Sequence, residues 1–182
     1  MRKIILVSLL LLVSQFCFAQ TEPWWAPITI NEDGLIEMVV NYELEAKSQD
    51  QLYSITKVWL SQAFKNSNNV IEVDEKESGI ISGNGNVSFN WGNVLTGLHS
   101  DPLFFTFKCQ MKDGKYRLTV NNLQNENTLT GRNGIEYLFV DRSVKKNGDV
   151  KEYPAAVQSA VLNLFDMLKT SLGEKLNELD DF

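Results

Sequence analysis

The chain has 182 residues, and its 17 basic and 23 acidic side chains give it a formal net charge of −6. Binding to nucleic acid or to an anionic membrane requires an excess of lysine and arginine, so the acidic balance argues against both classes of partner. One histidine and two cysteines are too few to build a transition-metal site from these ligands.

The first nineteen residues have the organisation of a secretory signal peptide. Two basic residues precede a mostly apolar stretch, 4–13, which is too short to span a bilayer. Small residues at Cys17 and Ala19 predict cleavage after Ala19. Phe16 stands where a lipoprotein signal requires a small residue, so the lipid-anchored alternative is disfavoured. We expect residues 1–19 to be removed and the protein to be exported to the periplasm or the extracellular space.

Removal of this signal peptide would leave 15 basic and 23 acidic residues, a formal net charge of −8. Residues 20–33 then predict an extended N-terminal arm, because two prolines and two tryptophans follow no helical or strand period. Trp24 and Trp25 have two interpretations. They dock onto the body of the same domain, or they bind a partner, since exposed paired aromatic side chains are costly unless covered.

The next elements are a strand and a helix. Apolar and polar residues alternate from Ile36 to Leu44, which predicts a strand with one solvent-facing side. Ser48 and Gln51 form a capping-box signal. The apolar stripe that follows predicts an amphipathic helix that ends at the cluster 66–69; the stripe comprises Leu52, Ile55, Trp59 and Ala63 with Leu60 and Phe64 beside it.

Two further strands are predicted at Val70–Val73 and Gly79–Trp91, and they are followed by a hairpin. The stretch FKCQMKDGKYRLTV, residues 107–120, has Asp113-Gly114 as a two-residue turn of type I′. Residues that face each other across that turn have numbers summing to 227, and this register pairs apolar with apolar and polar with polar residues. Cys109 falls on the apolar side, which predicts a buried side chain rather than a reactive thiol.

The rest of the chain predicts a loop, a short strand and a long helix. Asn125–Gly134 is polar and is expected to form a loop, and Ile135–Val140 is expected to form a strand or an edge extension. Pro154 suits the first turn of the final helix. The buried stripe of this helix comprises Val157, Val161, Leu164, Leu168 and Leu172. Gly173 is where we expect the helix to bend, fray or overhang the sheet.

Together these elements predict an α+β fold in which residues 34–182 form a single domain. The order is strand, helix, four or five antiparallel strands, helix. Each helix has one apolar stripe and each strand one apolar side, so the simplest burial places both helices on one face of one sheet. The other face of the sheet then stays open.

The segment DQLYSITKVWLSQAFKNSNNVIEVDEKESGIISGNGNV, followed by the KDGKYRLTV hairpin and the long final helix, resembles a family of secreted bacterial domains of unknown function with a TATA-binding-protein-like (TBP-like) fold. The resemblance covers roughly Leu35–Leu172. It implies the TBP-like β-α-β4-α arrangement and brings no known activity. The DNA binding that the name of the fold suggests is an analogy of shape, and an exported acidic chain argues against it.

Few residues have the pattern of a catalytic or metal site. Asp74–Gly79 resembles a calcium loop, but Gly85 stands where that loop requires a bidentate glutamate, so a solvated turn is the better interpretation. Gly83-Asn84-Gly85 is typical of a bulge or bend in a strand rather than of a phosphate cradle. His99 lies beside a serine and an aspartate in a predicted loop, and adjacent loop residues seldom converge as catalytic groups do. No catalytic, metal-binding or cofactor-binding residue is therefore assigned.

The leading hypothesis is a non-catalytic binding domain of the bacterial cell envelope, with a protein, peptide or glycan as partner. The candidate binding residues are Trp24 and Trp25 in the arm and Lys108 and Arg117 on the open sheet face. One alternative is a small envelope hydrolase that uses the His99 loop. Another is a carrier of an apolar ligand held between helices and sheet, although the bulky helical stripes predict a filled core. No transmembrane segment is predicted after removal of the signal peptide.

Overall fold

The computed structural model describes residues 23–64, 70–93, 97–127, 131–140 and 143–180. The predicted signal peptide and its cleavage site lie outside these residues. The strands are β1 (Met38–Glu43), β2 (Ile71–Glu75), β3 (Ile80–Asn93), β4 (Gly97–Lys112), β5 (Lys115–Asn127) and β6 (Gly131–Gly134), and the α-helices are α1 (Gln49–Ala63) and α2 (Glu152–Asn177).

The strands form one antiparallel sheet in the order β1-β5-β4-β3-β2, and β6 pairs with the second half of β5 beside β1. Both helices pack on the same face, α1 against β4 and α2 against β3 and α1. The opposite face carries no helix in the described part of the chain. The α+β class and the one-sided arrangement predicted from the sequence are thus confirmed.

The β4–β5 hairpin has the register that its turn predicts. Met111 faces Tyr116 and Cys109 faces Leu118, as the sum of 227 requires. Gly114 has a φ of +73°, but the φ of Asp113 is not positive. A type I′ turn requires a positive φ at both central residues, so the two-residue turn forms where predicted but its predicted type is wrong. The side chain of Cys109 is fully buried, and this burial raises the pKa of its thiol to about 12. The prediction of an inert, buried cysteine is confirmed.

A bulge in β5 changes which residues face the helices. The register shifts by one residue where Thr106 faces Asn121 and Phe104 faces Gln124. Asn122 takes up the extra residue with a φ of +50°, a left-handed conformation that asparagine tolerates better than most residues. Leu123, beyond the bulge, is therefore buried on the helix face although strict alternation from Val120 would turn it outward.

The prediction for the segment after β5 is wrong. The polar stretch Asn125–Gly134 was expected to be a loop, yet β5 runs to Asn127 and Gly131–Gly134 forms β6. Ile135–Val140 was expected to be a strand, but it contains a 3-10 helix at Glu136–Leu138. Ile135, Leu138 and Phe139 are buried, so this apolar segment closes the core instead of extending the sheet.

Helix α1 begins with the predicted capping box between Ser48 and Gln51. Its buried side differs slightly from the predicted stripe, because Thr56 is buried whereas Ala63 is exposed. The Thr56 hydroxyl donates to the carbonyl of Leu52 at 2.7 Å and lies 3.2 Å from the hydroxyl of Tyr116. Because these hydrogen bonds satisfy the hydroxyl group, burial of this polar side chain costs little free energy.

Helix α2 continues without a break past Gly173 to Asn177, so the expected fraying there is wrong. Leu172 and Leu176 are buried on either side of the glycine. The hydroxyl of Tyr42 in β1 donates to the carbonyl of Lys169 at 2.9 Å, and the Tyr42 ring lies beside Gly173. A Cβ at position 173 would lie 3.6 Å from the Tyr42 hydroxyl, an ordinary contact, so this ring does not require a glycine.

Candidate functional site

Four cationic side chains lie on the open face at the end of the sheet that carries the β4–β5 turn. Lys108 and Lys112 belong to β4, and Lys115 and Arg117 belong to β5. The register places Lys112 directly opposite Lys115, and Gln110 opposite Arg117. Because side chains two residues apart share a face of a strand, all four project to the side without helices. We call these four residues the cationic strip.

The cationic strip borders a shallow groove of about 550 Å³. Lys112, Lys115 and Arg117 line it together with Glu43 of β1, which lies opposite Lys115, and with uncharged residues of β1, β3, β4 and β5. The groove is open along the sheet, so it suits an extended segment rather than an enclosed small molecule.

The cationic strip forms no salt bridge among the residues that the structure describes. Arg117 is positioned by a neutral partner, since its Nε donates to Oδ1 of Asn41 at 2.8 Å. Like charges directly opposite on neighbouring strands are destabilising, so the Lys112–Lys115 pair favours an anionic group between them.

The middle of the open face is different, because its polar side chains satisfy one another. The Thr106 hydroxyl donates to Oδ1 of Asn84 at 2.7 Å, and Nδ2 of Asn122 donates back to Thr106 at 3.1 Å. The amide of Asn84 donates in turn to Glu72 of β2, and Gln124 donates to Asn122 at 2.9 Å. This chain of hydrogen bonds leaves less unsatisfied polarity for a ligand than the cationic strip does.

The two tryptophans of the N-terminal arm pack against the body of the protein. Trp24 stacks on Phe139 with ring centroids 5.7 Å apart and meets Trp25 edge to face, also at 5.7 Å. Its carbonyl accepts a hydrogen bond from Nε2 of Gln158 in α2 at 2.9 Å. The tryptophans therefore lie on the helix side, and the structure does not bring them together with Lys108 and Arg117. A role of these two residues in binding stays a prediction.

The arm itself is less extended than predicted. The amide of Ala26 donates to the carbonyl of Pro23 and that of Ile28 donates to the carbonyl of Trp25, both at 2.9 Å, which makes two successive turns. Ile28 is buried in the core. Docking of the tryptophans onto the body requires this compact path.

His99 does not lie in a loop, in contrast to the prediction. β3 and β4 extend to Asn93 and Gly97, so His99 faces Trp91 across a long hairpin and stacks on it at 4.3 Å. Nε1 of Trp91 donates to the carboxylate of Asp101 at 2.8 Å. The intervening Ser100 lies on the opposite face of the strand, so these side chains do not form a serine, histidine and aspartate triad.

A small polar cluster lies beneath the base of this hairpin. Nδ2 of the buried Asn125 donates to the hydroxyls of Tyr153 at 2.9 Å and Tyr137 at 3.2 Å. Burial is the main cause that raises the pKa of Tyr153, so the phenol stays protonated near neutral pH. Trp91 packs edge to face on Tyr153 at 5.0 Å and connects the cluster to the hairpin.

Two other classes of site receive no support from the described residues. No group of three or more histidine, cysteine, aspartate or glutamate side chains is arranged there to hold a metal ion. Within the same residues, no helix combines the length and the apolar character needed to cross a bilayer. Bulky side chains, among them Trp59, Phe105 and Tyr116, fill the space between helices and sheet, so the apolar-carrier alternative gains no observation in its favour.

With this geometry in place, comparison with known proteins identifies the relatives of the fold. Residues 40–126 match the model of a family described as a domain of unknown function (DUF4468) with TBP-like fold. The resemblance to a TBP-like family of unknown function, stated from the sequence, is confirmed. No curated protein shows significant sequence similarity to the chain.

Two crystal structures share the DUF4468 or TBP-like architecture. A DUF4468 family protein from Bacteroides ovatus is 15% identical, with a TM-score of 0.62 over 80% of this chain and 90% of its own. A TBP-like protein from Parabacteroides distasonis is 16% identical, with a TM-score of 0.55 over 82% of this chain and 97% of its own. At such identities the comparison concerns the fold and not the function.

Sequence reasoning identified half of the cationic strip. It selected Lys108 and Arg117 from the alternation in the hairpin and missed Lys112 and Lys115. A signal for these two was present, because their numbers also sum to 227 and the hairpin register must place them opposite each other. Whether a carboxylate such as Glu43 of β1 forms an ion pair with the strip could not be read from the sequence, since it depends on the distance between the side chains in the folded protein.

Proposed function

We propose that this protein is a non-catalytic binding domain of the cell envelope that holds an acidic, extended polypeptide segment against the cationic strip. The observation that carries the proposal is the unpaired state of Lys108, Lys112, Lys115 and Arg117 among the described residues of a chain with a net charge of −6. Clustered cations on an acidic protein attract anionic partners to one place on its surface.

The shape of the site favours an extended partner. The groove of about 550 Å³ follows the open face across β1, β5, β4 and the start of β3. Its charged lining residues are three cations, Lys112, Lys115 and Arg117, and one carboxylate, Glu43. Carboxylates spaced along an extended chain would each meet one or two cations. Exposed ion pairs of this kind contribute about 0.2–1 kcal/mol each, so affinity would come from several pairs acting together.

The test uses two labelled peptides of equal length, oligo-glutamate and oligo-glutamine, in fluorescence anisotropy titrations. We expect binding of oligo-glutamate only, and weaker binding as salt is added, because exposed charges are screened. The variant Lys112→Gln/Lys115→Gln should lower the affinity roughly tenfold, which corresponds to about 1.4 kcal/mol.

The matched control is Lys145→Gln/Lys146→Gln, which removes the same charge from an exposed turn away from the strip. An equal loss of affinity in the control would show that only net charge matters, and the assignment of the site would be wrong. Equal binding of the two peptides would contradict the acidic preference.

Export is a separate part of the proposal, supported by the basic start and the apolar stretch of residues 4–13. The full chain expressed in a Gram-negative host should be recovered from the periplasmic fraction, and mass spectrometry should find Gln20 at its N-terminus. Recovery of an intact Met1 or Arg2 N-terminus from the cytoplasm would contradict export.

A further inference from the structure

The outer edge of β3 is covered over less than half of its length. β2 pairs only with Ile80–Gly83. Among the residues that the structure describes, no strand pairs with the remaining stretch, Asn84–Asn93, on that side. We call this stretch the bare edge. Every second residue of such an edge directs its backbone N–H and C=O away from the sheet, which forms a template for another strand.

The bare edge lacks the features with which proteins usually protect an exposed strand. Its ten residues, NGNVSFNWGN, contain no charged residue and no proline. The outermost strands differ: β1 is six residues long and carries Glu43, and β2 is five residues long and carries three acidic residues. Short length and charge are the common means of preventing strand addition, so the bare edge is suited to pairing.

On the helix side, the groove beside the bare edge is lined by uncharged residues. A groove of about 580 Å³ lies between Val87–Asn90 and helix α2. The helix presents small or neutral side chains to it at helical spacing, with Met167 52% exposed at one end. The small side chains, Ala156, Ser159 and Ala160, allow close approach of a second sheet and helix layer.

We infer that the bare edge pairs with the bare edge of a second copy of this chain, antiparallel about a twofold axis at Ser88. This register keeps every side chain on its own face, because residues that face each other have numbers summing to 176. On the open face it pairs Asn86 with Asn90 of the second copy, and on the helix face it pairs Val87 with Phe89. Two six-stranded sheets then become one continuous sheet.

The absence of charge supports a second copy of this chain as the partner of the bare edge. Each chain carries a net charge of −6, and a contact between identical surfaces brings together every charge that the surface holds. Self-pairing of β1 or β2 would bring together acidic residues, whereas the bare edge carries no charge and its self-pairing brings no like charges together. Side chains that face each other in this register are amide with amide, hydroxyl with hydroxyl and apolar with apolar, the pairs that stabilise sheets.

The inference concerns a surface distinct from the cationic strip, so either can fail without the other. The test is sedimentation equilibrium of the purified protein and of two double variants at exposed positions of the bare edge. The wild type should be a dimer at micromolar concentration. Asn86→Lys/Asn90→Lys places lysines opposite each other twice, and we expect the dissociation constant to rise roughly tenfold or more.

The second variant, Asn86→Lys/Asn90→Glu, should restore dimerisation, because the proposed register places each lysine opposite a glutamate of the other copy. Ser54→Lys/Gln62→Lys adds two charges to the exposed side of α1 and should leave the dimer unchanged. Circular dichroism checks that each variant is folded. A monomeric wild type, an unaffected lysine variant or a glutamate variant that stays monomeric would each overturn the inference.

Discussion

The two long hairpins of the sheet differ in what surrounds their turns. The β4–β5 turn is held by the connection between β1 and α1: the amide of Gly114 donates to the carbonyl of Lys47, and Asp113 accepts from the amide of Gln49, each at 2.8 Å. The amide of Leu44 donates to the carbonyl of Gly114 at the same distance. This turn is therefore part of the packed body of the protein.

The β3–β4 hairpin extends beyond its neighbours instead. From Asn90 and Ser100 outward, no other described strand pairs with this hairpin. An aromatic cluster packs on its outer part. Trp91 stacks on His99, donates to Asp101 and packs on Tyr153. Local stability follows the number of buried contacts, so this hairpin should open before the other one does.

The largest expected difference comes from two positions on the same face of β4. Met111 is 1% exposed near the β4–β5 turn, and its replacement by alanine should lower the free energy of unfolding by about 2–5 kcal/mol. His99→Ala, near the other end of the strand, should cost about 0.5–1.5 kcal/mol, the value of an aromatic contact. Urea titrations followed by circular dichroism measure both, and equal losses would contradict the comparison.

Turn glycines give the next largest effect. Gly114 has a φ of +73°, and Gly114→Ala should cost about 1–2 kcal/mol because a Cβ disfavours this conformation. Gly131 before β6 has a φ of +75° and open space around it, so it is the matched control. Gly131→Ala should cost less in global unfolding, since the β5–β6 end can open without disrupting the core. A larger loss at Gly131 would reverse this ranking.

A smaller effect is expected from the hydrogen bond between Trp91 and Asp101. Trp91→Phe keeps a ring to stack on His99 but removes the Nε1 donor, and it should cost about 1 kcal/mol. Amide hydrogen exchange should show faster exchange in the outer β3–β4 hairpin and unchanged protection around Cys109. Faster exchange throughout the sheet would mean that this hairpin is not a separate unit of opening.

The smallest effect concerns Asp74 near the end of β2. Its carboxylate connects this strand to Lys57 and Tyr53 of α1. Lys57 donates to Asp74 at 2.6 Å and Tyr53 also donates to it, and these hydrogen bonds lower the pKa of the carboxyl group. A lowered pKa in the folded state contributes stability above the ordinary pKa of aspartate, and this contribution is lost as pH falls through the lowered value.

Both members of the Lys57–Asp74 pair are more than one third exposed, so solvent screening limits the contribution to about 0.5 kcal/mol. Asp74→Asn should therefore be less stable than the wild type at pH 7, and the difference should shrink in strongly acidic buffer. Thermal unfolding at a series of pH values measures it. A difference that grows as pH falls would show that the pair does not act through its charge.

Local patterns predicted the parts of the fold that depend on near neighbours in the chain. The Asp113-Gly114 turn determines the β4–β5 register, because a two-residue turn leaves one pairing that keeps apolar residues on one side. The capping box at Ser48 marks the start of α1 for a similar reason, since its partners are three residues apart. The one-sided layer arrangement follows from single apolar stripes.

Long-range contacts decided the rest. Pairing makes the polar residues of β6 into a strand although their sequence is typical of a loop. Burial of Leu172 and Leu176 accompanies the continuation of α2 through Gly173. His99 likewise stacks on Trp91 although no turn motif in the sequence predicts that these two residues pair. The sequence by itself determined which side chains lie on each face of the central hairpin. Only the tertiary structure decided that, among the described residues, the cationic strip forms no salt bridge and most of β3 has a bare edge, because both depend on the positions of other strands and their side chains.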